Sequence, residues 1–246
     1  MTTYVMWEGT SLIDNVTPIV VLMSVNRAKS AKKSANKKTG VMAQTYILRQ
    51  DVAPQAAHGQ GLDPAICGDC PMRSPASGGN NACYVNIWRG GNQVWGAYKR
   101  GNARSRQEGE IALQKSGLAL RIGTYGDPAA APMSLWEGLI ALAKGHRGYT
   151  HQWRQPRVQE YRTRMQASAD TPEDRAEANA MGWRTFRVRL EDGEVLPGEV
   201  VCPASEEAGK KLQCFQCRQC SGTEGRRSKV DVVIAVHGAT KKRKVR

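Results

Sequence analysis

Cys67, Cys70 and Cys83 stand as C-x2-C-x12-C, and Cys202, Cys214, Cys217 and Cys220 as C-x11-C-x2-C-x2-C. Together they account for all seven cysteines of the chain. A thiolate is a soft ligand, and thiolates two residues apart can grip one metal centre. A C-x2-C-x2-C run with a distant Cys-Pro pair, here Cys202 and Pro203, has the spacing of an iron–sulfur site. Zinc also accepts C-x2-C pairs and is the alternative metal, although a third cysteine after the same gap is less usual there. Seven is odd, so complete disulfide pairing cannot use them all. Three plus four divides into one incompletely ligated and one fully ligated centre. A partition in which Cys202 joins the first three stays open.

The 246 residues can bury a core, either as two small domains or as one large α/β barrel. No run of about eighteen apolar residues is present to span a membrane. The opening Met1, Thr2, Thr3, Tyr4 lacks the basic start and apolar run of a secretory signal. These features point to a cytoplasmic protein with no membrane partner, in a reducing compartment where metal ligation is favoured over disulfides. The formal net charge is +14. Part of it is concentrated in Arg27, Lys29, Lys32, Lys33, Lys37 and Lys38, within a Ser/Ala/Asn-rich segment. A second run, Lys241, Lys242, Arg243 and Lys244, forms the tail. Clustered cations attract phosphates, so a nucleic-acid partner is expected. Simple solvation of mobile charge runs is the competing reading.

Residues 3 to 25 alternate or run apolar around Asp14 and Asn15, as a β-hairpin does. A strand is expected at 45–49, followed by a long Pro/Gly/Ala-rich loop that carries the first cysteine group. Val94, Trp95 and Tyr98 give 92–100 helical spacing. From residue 118 strands and helices alternate. Strands are expected near 118–123, 148–153, 165–169, 183–188, 199–202 and 230–236. Helices are expected from Pro132 to Gly145, over 156–164 and from Thr171 to Gly182. The last helix has a capping residue, Pro172 in its first turn, and Glu173 and Asp174 at the positive end of its dipole. Repeated units of this length imply parallel strands, and six or seven of them suggest a complete or partial (β/α) barrel. The expected organisation is a hairpin and basic loop over 1–42, a barrel over 43–238 with cysteine loops at 67–83 and 202–220, and a basic tail over 239–246.

In such barrels chemistry sits where strands end. The expected strand ends carry Tyr125 and Asp127, His151 and Gln152, Ser168 and Asp170, Arg187 and Arg189, and Cys202 and His237. Tyr125, Asp127, His151 and Asp170 are the catalytic candidates among them.

The order of parts resembles the radical S-adenosylmethionine superfamily, and is similar to its small phage-borne members. A strand, a cysteine loop, a helix and a second strand ending in a Gly-acid-Pro turn follow one another, and the resemblance covers residues 43–238. It implies that Cys67, Cys70 and Cys83 ligate three irons of a [4Fe–4S] cluster whose fourth site takes S-adenosylmethionine. Gly126, Asp127 and Pro128 stand where the family's turn holds the methionine amino group, and Ser168 and Asp170 where ribose contacts fall. Cys202, Cys214, Cys217 and Cys220 resemble the ligands of an auxiliary, fully ligated cluster. The family loop is C-x3-C-x2-C, whereas this one is C-x2-C-x12-C, and Asp127 replaces a glutamate.

Two classes of function follow. One is an iron–sulfur enzyme, supplied by an electron donor, that modifies a nucleic acid or another macromolecule. The other is a non-catalytic nucleic-acid-binding protein held in shape by iron–sulfur or zinc sites. A nuclease built on Asp127, His151 and Asp170 is a further reading of the rim. The chain has no His-x-Glu with Pro-Cys-x2-Cys of a zinc deaminase, no G-x4-G-K-[ST] phosphate loop and no His-hydrophobe-His pair of a rolling-circle nickase.

Overall fold

The computed structural model describes residues 2–25, 39–209, 212–224 and 230–236. The basic segment from Arg27 to Lys38, His237 and the Lys241–Lys244 tail lie outside them.

The expected hairpin is β1 (Thr2–Thr10) and β2 (Pro18–Val25), paired antiparallel. Its loop is shaped by Asp14, whose carboxylate accepts from the Val16 and Thr17 amides and the Thr17 hydroxyl. Such local bonding is why Asp favours turns. Strand β3 (Met42–Arg49) continues the sheet antiparallel to β2, and β4 (Ala119–Tyr125) and β5 (His146–Arg147) extend it in parallel. A second sheet of β6 (Tyr149–Thr150), β7 (Gln166–Ala169), β8 (Thr185–Arg189), β9 (Glu199–Val201) and β10 (Asp231–Ala235) is parallel throughout, in the order β6-β7-β8-β10-β9.

The helices are α1 (Pro54–Gly59), α2 (Pro64–Cys67), α3 (Asn92–Lys99), α4 (Arg106–Ser116), α5 (Met133–Leu142), α6 (Pro172–Ala180) and α7 (Cys214–Cys217). Helix α4 was not expected from periodicity. A capping box starts it, with Ser105 accepting from the Glu108 amide while Glu108 accepts from the Ser105 amide. The 156–164 segment is a 3-10 helix (Pro156–Thr163) rather than an α-helix.

The two sheets meet at Gly148, the single residue between β5 and β6. Its amide donates to the Cys220 carbonyl and its own carbonyl accepts from Gln166. The second cysteine loop therefore takes the place of a strand neighbour at the break. A Cβ at Gly148 would stand 3.2 Å from both Ile122 and Met165, so the close approach suits glycine. Side chains alternate across a strand. Gln44 and Tyr46 of β3, Arg121 of β4, Arg147 of β5, Tyr149 of β6 and Phe186 of β8 thus line one cavity of about 1300 Å³. Both sheets face it. No closed barrel forms among the described residues, because β1 and β9 each have a neighbour on one side alone. The complete barrel is set aside; the α/β class with consecutive parallel strands stands.

The main core packs against the opposite strand faces, with Trp136, Trp153 and Tyr161 fully buried. Each satisfies its polar atom on backbone: Trp136 Nε1 donates to Pro128 O at 3.0 Å, Tyr161 Oη to Ala131 O at 2.6 Å and Trp153 Nε1 to Ser168 O at 3.0 Å. Arg187 and Arg189, expected at strand ends on the rim, are both partnered. Arg187 makes a two-pronged pair with Glu199, and Arg189 pairs with Glu207.

The Glu199 side chain is wholly buried against Arg187 and lies 3.6 Å from Arg175. Removing one partner of a buried pair strands the other charge. Glu199→Ala should therefore lower the unfolding free energy by about 3–5 kcal/mol in urea denaturation. Glu110→Ala, which removes the exposed i,i+4 partner of Arg106, should cost no more than about 0.5 kcal/mol.

Candidate metal centres and the cavity between them

The first cysteine group is assembled by local backbone bonds. Asp63, Pro64 and the following apolar pair start α2, which ends at Cys67. Gly68 follows with φ +59°, and a Cβ there would run into the Gln152 side chain. The Cys70 amide donates to Cys67 O at 3.2 Å, closing the C-x2-C turn. The residues between Cys70 and Cys83 then double back, with the Asn80 amide on Pro71 O and the Cys83 amide on Met72 O. A twelve-residue gap in sequence thereby becomes a close approach in space. Asp63 holds the fold-back from beneath: it is 1% exposed and accepts from the Ser74 amide and the Ser77 hydroxyl.

Electrostatics place the three sulfurs as neighbours. The Cys67 thiol is pushed well above its ordinary value, first by burial and then by the charges of Cys70 and Cys83. Cys83 is pushed up to about 11, again chiefly by burial. Tyr125 adjoins Cys67 and Cys83, and burial raises its phenol strongly. Its hydroxyl is buried with no hydrogen-bond partner, as is Thr124 Oγ1. A buried donor without an acceptor is costly; Thr124 lines the cavity described above, and Tyr125 packs in the main core.

Asp127 fastens this loop to the strand ends. Its amide donates to Ile66 O at 2.6 Å. Its carboxylate accepts from the Ala129 amide at 2.9 Å, the Thr150 hydroxyl at 2.7 Å and the His151 amide at 2.8 Å. Burial raises its pKa, and these donors act against that rise. His151 lies past β6, with Nε2 3.3 Å from Asp170 Oδ2 and Cys70 close by. Burial opposes its protonation, but Cys70 and Asp170 outweigh it and push the imidazole well above its usual value. Gly126 (φ +83°) lets the turn pass 2.6 Å from Ile47 O, measured from a Cβ built there, and Pro128 is buried. Ser168 offers its carbonyl to Trp153. Asp127 and His151 touch the first cysteine loop directly, Tyr125 lies beside Cys67, and Asp170 reaches it through His151. Gln152, next to His151, donates to Asp69 of the C-x2-C turn.

The second group is more enclosed. Cys202, Cys214, Cys217 and Cys220 are between 5 and 9% exposed, whereas Cys67, Cys70 and Cys83 are half-buried. Cys202 continues the β9–β10 pairing through its amide on Val233 O. Helix α7 carries Cys214 and Cys217, and Arg218 ends it at φ +54°. Phe215 seats this loop against Gly40, before β3. Arg147 Nη1 donates to Cys214 Sγ at 3.0 Å. Cys220 is pushed up to about 12 by burial, with Cys202 and Cys214 adding to the rise and Tyr149 and Arg147 opposing it.

None of the seven cysteines is in a disulfide. Among the described residues no set of three or more Cys, His, Asp or Glu side chains stands in the arrangement that would hold a single metal ion. Tetrahedral zinc with bonds of about 2.3 Å draws its thiolates to roughly 3.8 Å from one another. An iron–sulfur cluster sets its thiolates farther apart, because several irons and sulfides lie between them. The donor set of both groups is all sulfur, which both metals accept. S-adenosylmethionine fits less well. The Asp127 carboxylate that would hold its amino group is already engaged by three donors.

The sequence reading missed Arg121, Arg147, Tyr149 and Asp63. A charged residue inside an apolar strand, as in Leu120, Arg121, Ile122, was the available signal for the first of these. Cys202, Cys214, Cys217 and Cys220 line the cavity; of the first cysteine loop, Met72, Ala82 and Tyr84 line it, while Cys67, Cys70 and Cys83 do not.

Thiols raised above neutrality must shed protons to bind metal. Metal affinity should therefore rise with pH, by on the order of tenfold per pH unit for each thiol still protonated. Chelator competition at about pH 6.5 and about pH 8.5 checks this, and pH-independent retention would mean that these thiols are not ligands. Asp127→Asn turns an amide donor toward a donor and should cost about 1–3 kcal/mol of stability in urea denaturation.

No protein-family model, no curated protein and no solved structure matches this chain.

Proposed function

We propose that this protein is an iron–sulfur protein with two sulfur-ligated centres on a partial (β/α) barrel of the radical S-adenosylmethionine type, acting on nucleic acid. Cys67, Cys70 and Cys83 would hold the more accessible centre and leave one cluster position open. Cys202, Cys214, Cys217 and Cys220 would hold the enclosed one, where four thiolates complete the ligation. The observation that carries the reading is the second sulfur group: Cys202, Cys214, Cys217 and Cys220 all line one interior of about 1300 Å³, whose wall also includes Met72, Ala82 and Tyr84 from the loop of the first group. Clusters there would supply electrons to a molecule bound between them, drawn from an external donor.

The protein's own contribution is positional. His151, held between Cys70 and Asp170, supplies a positive charge beside the first thiols. Arg147 does the same beside Cys214. Tyr125 presents an unpartnered hydroxyl toward the first group. At the cavity rim Tyr84 is 51% exposed, and Trp88, in the π-helical turn Ile87–Gly91, is 68% exposed beside Arg89. Exposed aromatic faces next to cations suit base stacking on a single strand, and the net charge of +14 suits a phosphate backbone.

Iron and acid-labile sulfide analysis of protein purified without oxygen tests the centres. Two clusters predict a broad absorption on the order of 400 nm. Cys70→Ser and Cys217→Ser should each remove about half the iron while sparing the rest. A colourless protein with stoichiometric zinc overturns the iron reading. After reduction, release of 5′-deoxyadenosine from S-adenosylmethionine tests the enzyme class; an intact cluster that yields none rejects it. Single-strand binding followed by fluorescence anisotropy should weaken steeply with salt, and a flat response would remove nucleic acid as partner.

A further inference from the structure

Arg121 and Arg147 occupy paired positions on β4 and β5, with side chains on the cavity face of the sheet. Like charges directly opposite each other destabilise a sheet. Among the described residues neither has a carboxylate partner. Among the described residues Arg121's guanidinium has no hydrogen-bond acceptor, and the groups acting on it most strongly are Arg147 and the hydroxyls of Tyr84, Tyr149 and Tyr46. Arg147 is 6% exposed; its Nη1 reaches Cys214 Sγ at 3.0 Å and Tyr149 Oη at 3.5 Å, and its Nε has no acceptor.

Arginine does not escape burial by losing its proton. Both burial and Arg147 work against the charge on Arg121, yet it stays charged. The cysteines do not explain Arg121, since none is among its strongest neighbours, whereas Cys214 and Cys220 do act on Arg147. Three carboxylates also line the cavity, Glu191, Glu206 and Glu207, but none acts strongly on either arginine, and Glu207 is engaged by Arg189 and the Ala235 amide. Arg121, with no acceptor, beside Arg147, whose partners are a thiol and a phenol rather than a carboxylate, calls for an anion, and their planar forks suit phosphate oxygens. The neighbouring wall is aromatic. Tyr46 and Tyr149 line it, and Tyr149 packs on Phe186 with ring centroids 4.5 Å apart.

We propose that the cavity binds a nucleotide, its phosphate held by Arg121 and Arg147 and its base lying along the tyrosine wall. The volume of about 1300 Å³ exceeds what a mononucleotide fills and leaves room for bound centres at the rim. The assignment uses no metal, and it narrows the nucleic-acid partner named above to recognition of a phosphorylated nucleoside. A free nucleotide and the end of a strand present the same phosphate chemistry, and the test separates these two sources.

Calorimetric titration of the anaerobically purified protein with AMP, adenosine and a 5′-phosphorylated tetranucleotide reads it out. AMP or the tetranucleotide should bind at least about tenfold tighter than adenosine, and the tighter of the two identifies the source. Arg121→Met should weaken that phosphate-bearing ligand by at least about tenfold, leave adenosine unchanged and not lower the melting temperature of the ligand-free protein. Equal binding of AMP, the tetranucleotide and adenosine, or no binding of either phosphorylated ligand, overturns the proposal. So does an Arg121→Met protein that binds as wild type. Should that variant fail to fold, the wild-type comparison with adenosine decides alone. Iron measured in the same samples keeps the two readings apart: iron without phosphate discrimination sinks this proposal, and discrimination without iron sinks the cluster reading.

Discussion

The Asp127 carboxylate is the point through which the first cysteine loop, the end of β4 and the end of β6 are tied together. It is buried and accepts from three donors, two of them main-chain amides. Its own amide reaches back to Ile66, one residue before Cys67. Three segments far apart in sequence are thus held to a common geometry by one residue. Pro128 and Ala131 on the same turn accept from Trp136 and Tyr161, so the turn is gripped from the core as well. A buried carboxylate is costly unless its acceptors are filled, and the donors around Asp127 fill them. The same bonding that makes it structural leaves its carboxylate little capacity to hold a ligand.

The two cysteine groups differ in what encloses them. The first lies on a loop that doubles back over strand ends and stays half-buried. The second closes over the sheet, with the Cys220 carbonyl bonded to Gly148 where the two sheets break apart. Burial raises Cys67 and Cys83 in the first group and Cys220 in the second. Between them the sheet presents two arginines whose charge is not answered by carboxylates. The thiols of the second group, both arginines and the unpartnered Thr124 hydroxyl border one cavity.

Much of the element order was legible in residue patterns. Alternation around Asp14 and Asn15 gives the hairpin, and Thr171, Pro172 and Asp174 start α6 where capping chemistry says they should. Other parts were not legible. Helix α4 has weak amphipathicity and is recognised by its Ser105–Glu108 cap rather than by period. The segment after Pro156 has a helix-compatible composition but winds as 3-10. Arg187 and Arg189 look like rim groups until Glu199 and Glu207, brought in from later segments, pair with them.

The amino-acid sequence by itself determined the local matters: which stretches alternate, where helices begin, and that the cysteines come in two groups, each containing C-x2-C. Tertiary structure decided the rest. The twelve residues between Cys70 and Cys83 bring the third sulfur back because of bonds to Pro71, Met72 and Asp63, which no spacing rule specifies. The ladder breaks at Gly148 because a loop some seventy residues later competes for its amide. Arg121 and Arg147 become neighbours because β4 and β5 pair in that register. Spacing sets which ligands are at hand, but proximity between distant segments is a property of packing and pairing, and these are fixed only when the whole chain is folded.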